Sequence, residues 1–276
     1  MRSSMALRMA AVMAASAWAT EIGAAPRQHR DYFLDPPKPG LWAHGDVYTL
    51  GAQASLESRT PIDDEFGMLA LRASGLVGIG YSEAAAHVDV RYLFLTFGAS
   101  AGYRNVWRTY RGAPGTEVTR DQRNDADGAS SFASEAWGWA EGRGRLVIPF
   151  DRLWLITNHT IRWEDTPRNT YDWFHSNVHD GGVLYRGDAV LFLRSASLGA
   201  IGPYVRYMDL PRNDRRRGEI SAGFIYGIRL GLKKRDDLLS LLVLARPGDD
   251  EFGSHVLRLP LWTLLVYRAS FRLLEY

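Results

Sequence analysis

Residues 219–232 read EISAGFIYGIRLGL, and every even position in this stretch carries an apolar side chain. Successive side chains of a β-strand point to opposite faces, so the pattern predicts a strand with one fully apolar face. Strands of soluble proteins cluster near about 5–6 residues, whereas a tilted membrane-spanning strand needs about 9–11. A charged run at 233–237 separates this stretch from a second apolar run at 238–245. The two runs therefore predict a membrane hairpin.

The same alternation recurs closer to the N-terminus, at 48–57 and again at 69–81. In 84–107 the apolar positions change from even to odd near Leu95. A slip of one residue exchanges the two faces of a strand, so this change marks a bulge or a turn. No glycine, proline, asparagine or aspartate lies between Arg91 and Phe97, which favours one long bulged strand.

The breaks between the apolar runs differ in length. If the N-terminus lies on the periplasmic side, the long breaks fall on one side of a membrane, and the short connections 82–84, 149–152, 196–202 and 233–237 fall on the other. Short inner turns with longer outer loops are typical of outer-membrane barrels. The predicted fold is all-β, a single antiparallel up-and-down transmembrane β-barrel of about ten strands, or twelve if 93–95 forms a turn.

The N-terminal region has a different composition from the rest of the chain. Arg2 and Arg8 accompany an apolar, alanine-rich run at 9–19, so residues 1–19 are predicted to be a secretory signal peptide. Residues 20–41 form a proline-rich segment, and residues 42–276 form the predicted barrel domain.

The composition excludes several classes of protein. The chain contains no cysteine, which excludes disulfide staples, thiolate nucleophiles and cysteine metal sites. Its formal net charge of +2 is too small to indicate a nucleic-acid partner. After the signal peptide no segment reaches the about 18 uninterrupted apolar residues of a transmembrane helix.

The C-terminal stretch carries apolar residues at alternate positions, namely Leu265, Tyr267, Ala269 and Phe271. This stretch resembles the terminal strand of bacterial outer-membrane barrels, where that strand is the assembly signal. The resemblance implies the outer membrane of a Gram-negative envelope, with outer-membrane lipid and the barrel assembly machinery as partners and no cofactor. The favoured role is non-enzymatic: structural, adhesive or small-solute passage. A soluble periplasmic lipocalin-like carrier of apolar ligands is an alternative, because the strands of such barrels also alternate apolar and polar residues.

One polar cluster, at 171–182, has the residue types of an acyl-transfer site. A histidine near a serine, oriented by an asparagine, is represented by His175, Ser176 and Asn177. The cluster resembles the His-x-Ser arrangement of outer-membrane phospholipase A and lipid A deacylases, although His175 and Ser176 are adjacent here. An outer-membrane lipid hydrolase is therefore a second alternative, and a polar outer loop is the favoured interpretation. His179 and Asp180 could join His175 in a metal site, but the following glycines favour a turn, so no metal is predicted.

Charged side chains also fall on the predicted inward faces of the strands. They are Arg72, Asp89, Arg91, Arg186, Asp188, Arg194, Arg206 and Arg229. Buried charges must be paired, so these residues predict an ion-pair network across the lumen. The functional alternative is an anion-selective constriction.

Overall fold

The computed structural model describes residues 38–49, 51–63, 66–78, 80–109, 133–168, 170–172, 177–195, 199–212, 215–229, 237–245 and 261–275. The strands in these ranges are β1 (Gly40–Tyr48), β2 (Gly51–Pro61), β3 (Gly67–Gly78), β4 (Tyr81–Tyr92), β5 (Leu95–Thr109), β6 (Ala133–Phe150), β7 (Leu153–Glu164), β8 (Thr170–Asp172), β9 (Asn177–His179), β10 (Gly182–Ser195), β11 (Gly199–Arg212), β12 (Arg215–Arg229), β13 (Leu238–Ala245) and β14 (Leu261–Leu274). No helix in the described ranges is long and apolar enough to cross a membrane.

The long strands form one closed antiparallel barrel. Each of them pairs with the next along the chain, and β14 pairs with β1, with Ala43 opposite Phe271. The short strands β8 and β9 form a separate two-stranded sheet within the connection from β7 to β10. The predicted all-β barrel is confirmed, and its described part contains twelve strands, the number predicted for the case in which 93–95 forms a turn.

At residues 84–107 a hairpin replaces the single bulged strand that was predicted, which adds one strand. β4 ends at Tyr92 and β5 begins at Leu95, opposite it. Leu93 turns the chain with a φ of 51°, in the left-handed region. The left-handed conformation costs a non-glycine residue about 1–2 kcal/mol, so glycine or asparagine usually occupies such turn positions. The turn carries neither residue, and its only sequence signal is the change of face.

The alternation at residues 48–57 also hid a hairpin between two strands. β1 begins at Gly40, two residues before the start predicted for the barrel domain, and residues 48–57 belong to two strands rather than one. Tyr48 looked like part of the apolar outer face. Its side chain points into the lumen instead, where its hydroxyl donates a hydrogen bond to Oε1 of Gln53 at 2.7 Å.

The two rims of the barrel carry connections of different length. β1 begins and β14 ends at the same rim, which we call the terminal rim, and its connections are 62–66, 93–94, 151–152, 196–198 and 230–237. The opposite rim, called the loop rim, carries the long connections 110–132, 165–181 and 246–260. Residues 82–84, predicted to be a short turn, lie inside β4, and the adjacent connection at 79–80 belongs to the loop rim.

The exterior of the barrel is apolar. Exposed side chains on it include Val47, Leu71, Val88, Phe97, Ile161, Val205, Ile220 and Phe224. In β12 the even positions 220, 222 and 224 are exposed while Glu219 and Ser221 are buried in the lumen. The apolar face predicted for this strand is therefore the outer face, although residues 230–232 of the quoted stretch lie outside the described ranges.

Candidate functional site

The lumen near the terminal rim is filled by a packed apolar cluster. Its buried members come from β6, β7, β10, β11 and β13: Val147, Trp154, Ile156, Val190, Phe192, Tyr204, Leu242 and Leu244. Trp154 is almost fully buried, and its indole nitrogen donates a hydrogen bond to the carbonyl of Asp151 at 3.2 Å. Side chains packed in this way exclude water and solutes from their part of the lumen.

Stacked cations and aromatic rings extend this filling across the barrel. The Arg59 guanidinium carbon lies 4.6 Å from the ring centre of Trp42, and that of Arg272 lies 5.9 Å from the same ring. Arg194 lies 4.4 Å from the ring centre of Trp154. A guanidinium over an indole face is attracted by the ring quadrupole, so these contacts hold bulky side chains inside the barrel.

A polar cavity of about 220 Å³ lies between the middle of the lumen and the loop rim. Its lining includes Gln53, Arg72, Ser74, His87, Thr160 and Arg186. A polar cavity of this size admits several water molecules. It is large enough for a small polar solute. Charged and hydroxyl-bearing side chains from several strands line it, so it is the candidate binding site of the lumen.

His87 is the centre of a hydrogen-bonded network on the wall of this cavity. Its Nε2 lies 2.9 Å from Oγ of Ser74, and its Nδ1 lies 2.8 Å from Oγ of Ser100. Ser100 also accepts a hydrogen bond from Nη1 of Arg143 at 3.2 Å. Arg143 in turn holds Asp89 through two guanidinium nitrogens, at 2.6 and 2.9 Å. The carboxylate thus pairs with an arginine and not with the imidazole, so the network lacks the acid that stabilises a catalytic imidazolium.

A second serine–histidine pair joins the two ends of the barrel sequence. Nδ1 of His44 lies 2.9 Å from Oγ of Ser270, and Nε2 of His44 lies 3.7 Å from Oε2 of Glu57. Glu57 is also paired with Arg59. Neither His44 nor Ser270 lines the polar cavity, and Ser270 is buried. This cluster therefore fills the lumen and closes the β1–β14 seam.

A buried ionic network lies near the loop rim. Arg104, Glu164 and His179 have no exposed surface. Arg104 pairs with Glu83 at 2.5 Å and faces Glu164 at 3.6 Å, while Arg162 pairs with Glu164 and lies 3.3 Å from Glu141. Nε2 of His179 lies 3.5 Å from Oε2 of Glu164. The network thereby ties strand β9 of the long connection to the barrel wall.

The predicted lumen charges all lie on inward-facing strand positions where their side chains are described. Asp188 brings two of them together, because Arg186 lies 3.2 Å and Arg206 lies 2.8 Å from its carboxylate oxygens. Asp89 is bound by Arg143, Arg194 covers Trp154, and Arg72 lines the cavity. Arg91 is half-buried on β4, and the side chain of Arg229 is not among those that the structure describes. These charges form several local networks, not one ring.

The described ranges do not include all of the predicted acyl-transfer residues, so their mutual geometry is not tested. Residues 173–176, which include His175 and Ser176, lie outside them, and Asn177 is described only as the first residue of β9. A hydrolytic role for these residues stays a prediction. His179 and Asp180 are buried, and the described residues contain no group of three metal-ligating side chains.

Comparison with known proteins gives structural likeness only. No family model matches the chain, and no curated protein matches its sequence. LpxR from Salmonella typhimurium is similar at 9% identity and a TM-score of 0.43, over 84% of this chain and 99% of that one. The β domain of the Bordetella autotransporter BrkA is similar at 13% identity and 0.43, over 86% and 100%. The monoaromatic hydrocarbon channel CymD is similar at 11% and 0.34, over 85% and 88%. The strand pairing itself, not these likenesses, carries the barrel assignment.

Proposed function

We propose that this protein is a non-enzymatic outer-membrane β-barrel of a Gram-negative envelope, which serves as a closed scaffold and not as an open pore. The packed lumen near the terminal rim is the observation that carries this proposal. Porins enclose a water-filled channel lined by polar groups. Here Trp154, Phe192 and Leu244 occupy the corresponding space as buried core residues.

The exterior supports the membrane location. Large apolar side chains such as Phe97 and Phe224 are exposed on the outer face, where a water-soluble barrel would place polar groups. Aromatic side chains lie near both rims: Tyr92 and Phe150 at the terminal rim, and Trp107 and Trp163 at the loop rim. Aromatic residues concentrate at the two interfaces of a membrane. The apolar exterior also argues against the lipocalin-like alternative, which turns its apolar faces inward.

The orientation follows from the lengths of the connections. With the terminal rim on the periplasmic side, the rim that carries the three long connections faces the cell exterior, where a structural or adhesive contact would be made. In this orientation β14 is the strand that the barrel assembly machinery would receive, and its pairing with β1 would close the barrel.

The location is tested by fractionation and gel migration. We expect the protein in the outer-membrane fraction, soluble only with detergent, and folded protein that migrates differently before and after heating. A closed barrel resists detergent until it is heated, which is why its migration changes. Recovery from the periplasm in water without detergent would contradict the proposal.

The closed lumen is tested by conductance in planar lipid bilayers. We expect the wild-type protein to show no steady conductance, because the core cluster blocks the lumen. The double substitution Trp154→Ala and Phe192→Ala removes two core rings and should produce measurable current steps. The matched control is Trp163→Ala, which removes a ring from the exterior and should leave the bilayer silent. Steady porin-like current from the wild type would overturn the scaffold proposal.

A further inference from the structure

Arg72 is a cation in the middle of the lumen that forms no direct ion pair among the described residues, although the charges of Glu57 and Asp89 act on it from nearby. It faces inward from β3, opposite Glu57 on β2 and His87 on β4. Within the described chain its Nε is buried and has no hydrogen-bond partner, and no ion pair joins its guanidinium to a carboxylate. Glu57 is instead engaged by Arg59 and His44, and Asp89 by Arg143.

A partly buried guanidinium with an unsatisfied N–H donor and no direct ion pair is unfavourable. Taking a charge out of water is unfavourable unless hydrogen bonds and an opposite charge replace the lost hydration. The positive charges of Arg143 and Arg268 add repulsion, which the charges of Glu57 and Asp89 offset only in part. An anion bound next to Arg72 would relieve both costs, so the position favours a ligand of negative charge.

The polar cavity provides the space and further donors for such a ligand. Arg72, Ser74 and His87 lie on the same part of its wall, and Thr160 and Arg186 lie among the residues that complete it. The two carboxylates in the lining, Glu83 and Glu141, are already paired with other arginines. The lining thus offers hydroxyl and guanidinium donors, while its own negative charges are neutralised.

We propose that this cavity binds a small oxyanion, a phosphate or carboxylate group, with Arg72 as the principal ligand-binding residue. A guanidinium presents two parallel N–H donors that match the oxygen spacing of both groups. Ser74 and Thr160 supply hydroxyl donors, and Arg186, which also contacts Asp188, supplies a second guanidinium. The ligand is either a free anion or the headgroup of a lipid. This site adds a binding function to the closed scaffold and does not depend on the absence of conductance.

The test is calorimetric titration of the full chain in a non-ionic detergent, with inorganic phosphate as the probe at constant ionic strength. We expect saturable binding to the wild type and at least tenfold weaker binding to Arg72→Gln. The matched control is Arg91→Gln, which removes an equal charge from β4 at a position that does not line the cavity; its affinity should equal that of the wild type. Absence of binding to the wild type, or equal loss in both variants, would overturn the proposal.

A second measurement keeps the test decisive if a variant folds poorly. Phosphate that binds only the folded state should raise the urea midpoint of the wild type with increasing concentration. The midpoint of Arg72→Gln should not respond, whatever its starting value, and an equal response would contradict the assignment. Short-chain phosphatidic acid below its micellar concentration is the parallel probe. Tighter binding than inorganic phosphate identifies a lipid headgroup, and weaker binding identifies a free anion.

Discussion

Glu164→Ala is expected to lower the free energy of unfolding by about 3–5 kcal/mol, the usual cost of breaking a buried ion pair by removing one partner. Glu164 has no exposed surface and pairs with Arg162, and Arg104 and His179 lie within 3.6 and 3.5 Å of its carboxylate. Its removal takes a nearby carboxylate away from Arg104, which is itself fully buried. Urea unfolding in lipid vesicles, followed by tryptophan fluorescence, measures the change.

The matched control for this experiment is Glu275→Ala. Glu275 pairs with Arg272 at 2.7 Å, but its side chain is 78% exposed. An exposed ion pair contributes about 0–1 kcal/mol, so this variant should unfold almost as the wild type does. If both variants lose the same free energy, the network around Glu164 is not buried in the folded protein.

The same substitution should loosen the connection between β7 and β10. Thr166 donates a hydrogen bond to Oε2 of Glu164 at 3.2 Å, and His179 faces the same carboxylate. Without these contacts, limited proteolysis should cut this connection faster in folded Glu164→Ala than in folded wild type. Equal cutting rates would show that other contacts hold the connection in place.

The class of fold and the inward face of most strands were readable from the sequence. Alternation between two faces is a local property, so Arg72, Asp89, Arg186 and Asp188 were placed inward without knowledge of any partner. The apolar exterior follows from the same alternation, because every second side chain of a spanning strand meets the surroundings.

The contacts between side chains inside the lumen could not be predicted from the sequence, because they depend on the register between neighbouring strands. Glu83 and Arg104 are directly opposite each other only because the chain reverses at Leu93, a turn that lacks the usual turn residues. His44 and Ser270 are separated by 226 positions and meet only when β14 closes on β1. The polar cavity is lined by side chains from many strands, so no single stretch of sequence predicts it.

Phe224→Arg is the substitution that tests the membrane face most directly. Phe224 is 62% exposed on the exterior of β12, near the middle of the strand. A lipid-facing arginine near the midplane costs about 2–4 kcal/mol, whereas the same change on a water-facing surface costs little. Urea unfolding in vesicles measures the loss. An unchanged stability would mean that this face meets water.

Gly227→Ser is the matched inward control on the same strand. A Cβ at Gly227 would lie 3.7 Å from Oγ of Ser240, an ordinary contact, so a small polar side chain is accommodated. Ser221→Arg, which the strand pattern alone suggests as another mild inward change, is not a suitable control. Ser221 is almost fully buried, and an arginine there would have to displace its neighbours.

Cysteine labelling separates lipid from water at the same positions, because the chain has no native cysteine. Single cysteines at Phe224 and Tyr226 should react with a bilayer-partitioning probe and resist a water-soluble maleimide. A cysteine at Ile225 should resist both probes, because Ile225 packs against the apolar core of the lumen. A cysteine at Gln53, on the wall of the polar cavity, should react with a small water-soluble reagent and not with the lipid probe. Equal labelling of positions 224 and 225 by the lipid probe would contradict the assignment of a single lipid-facing surface to β12.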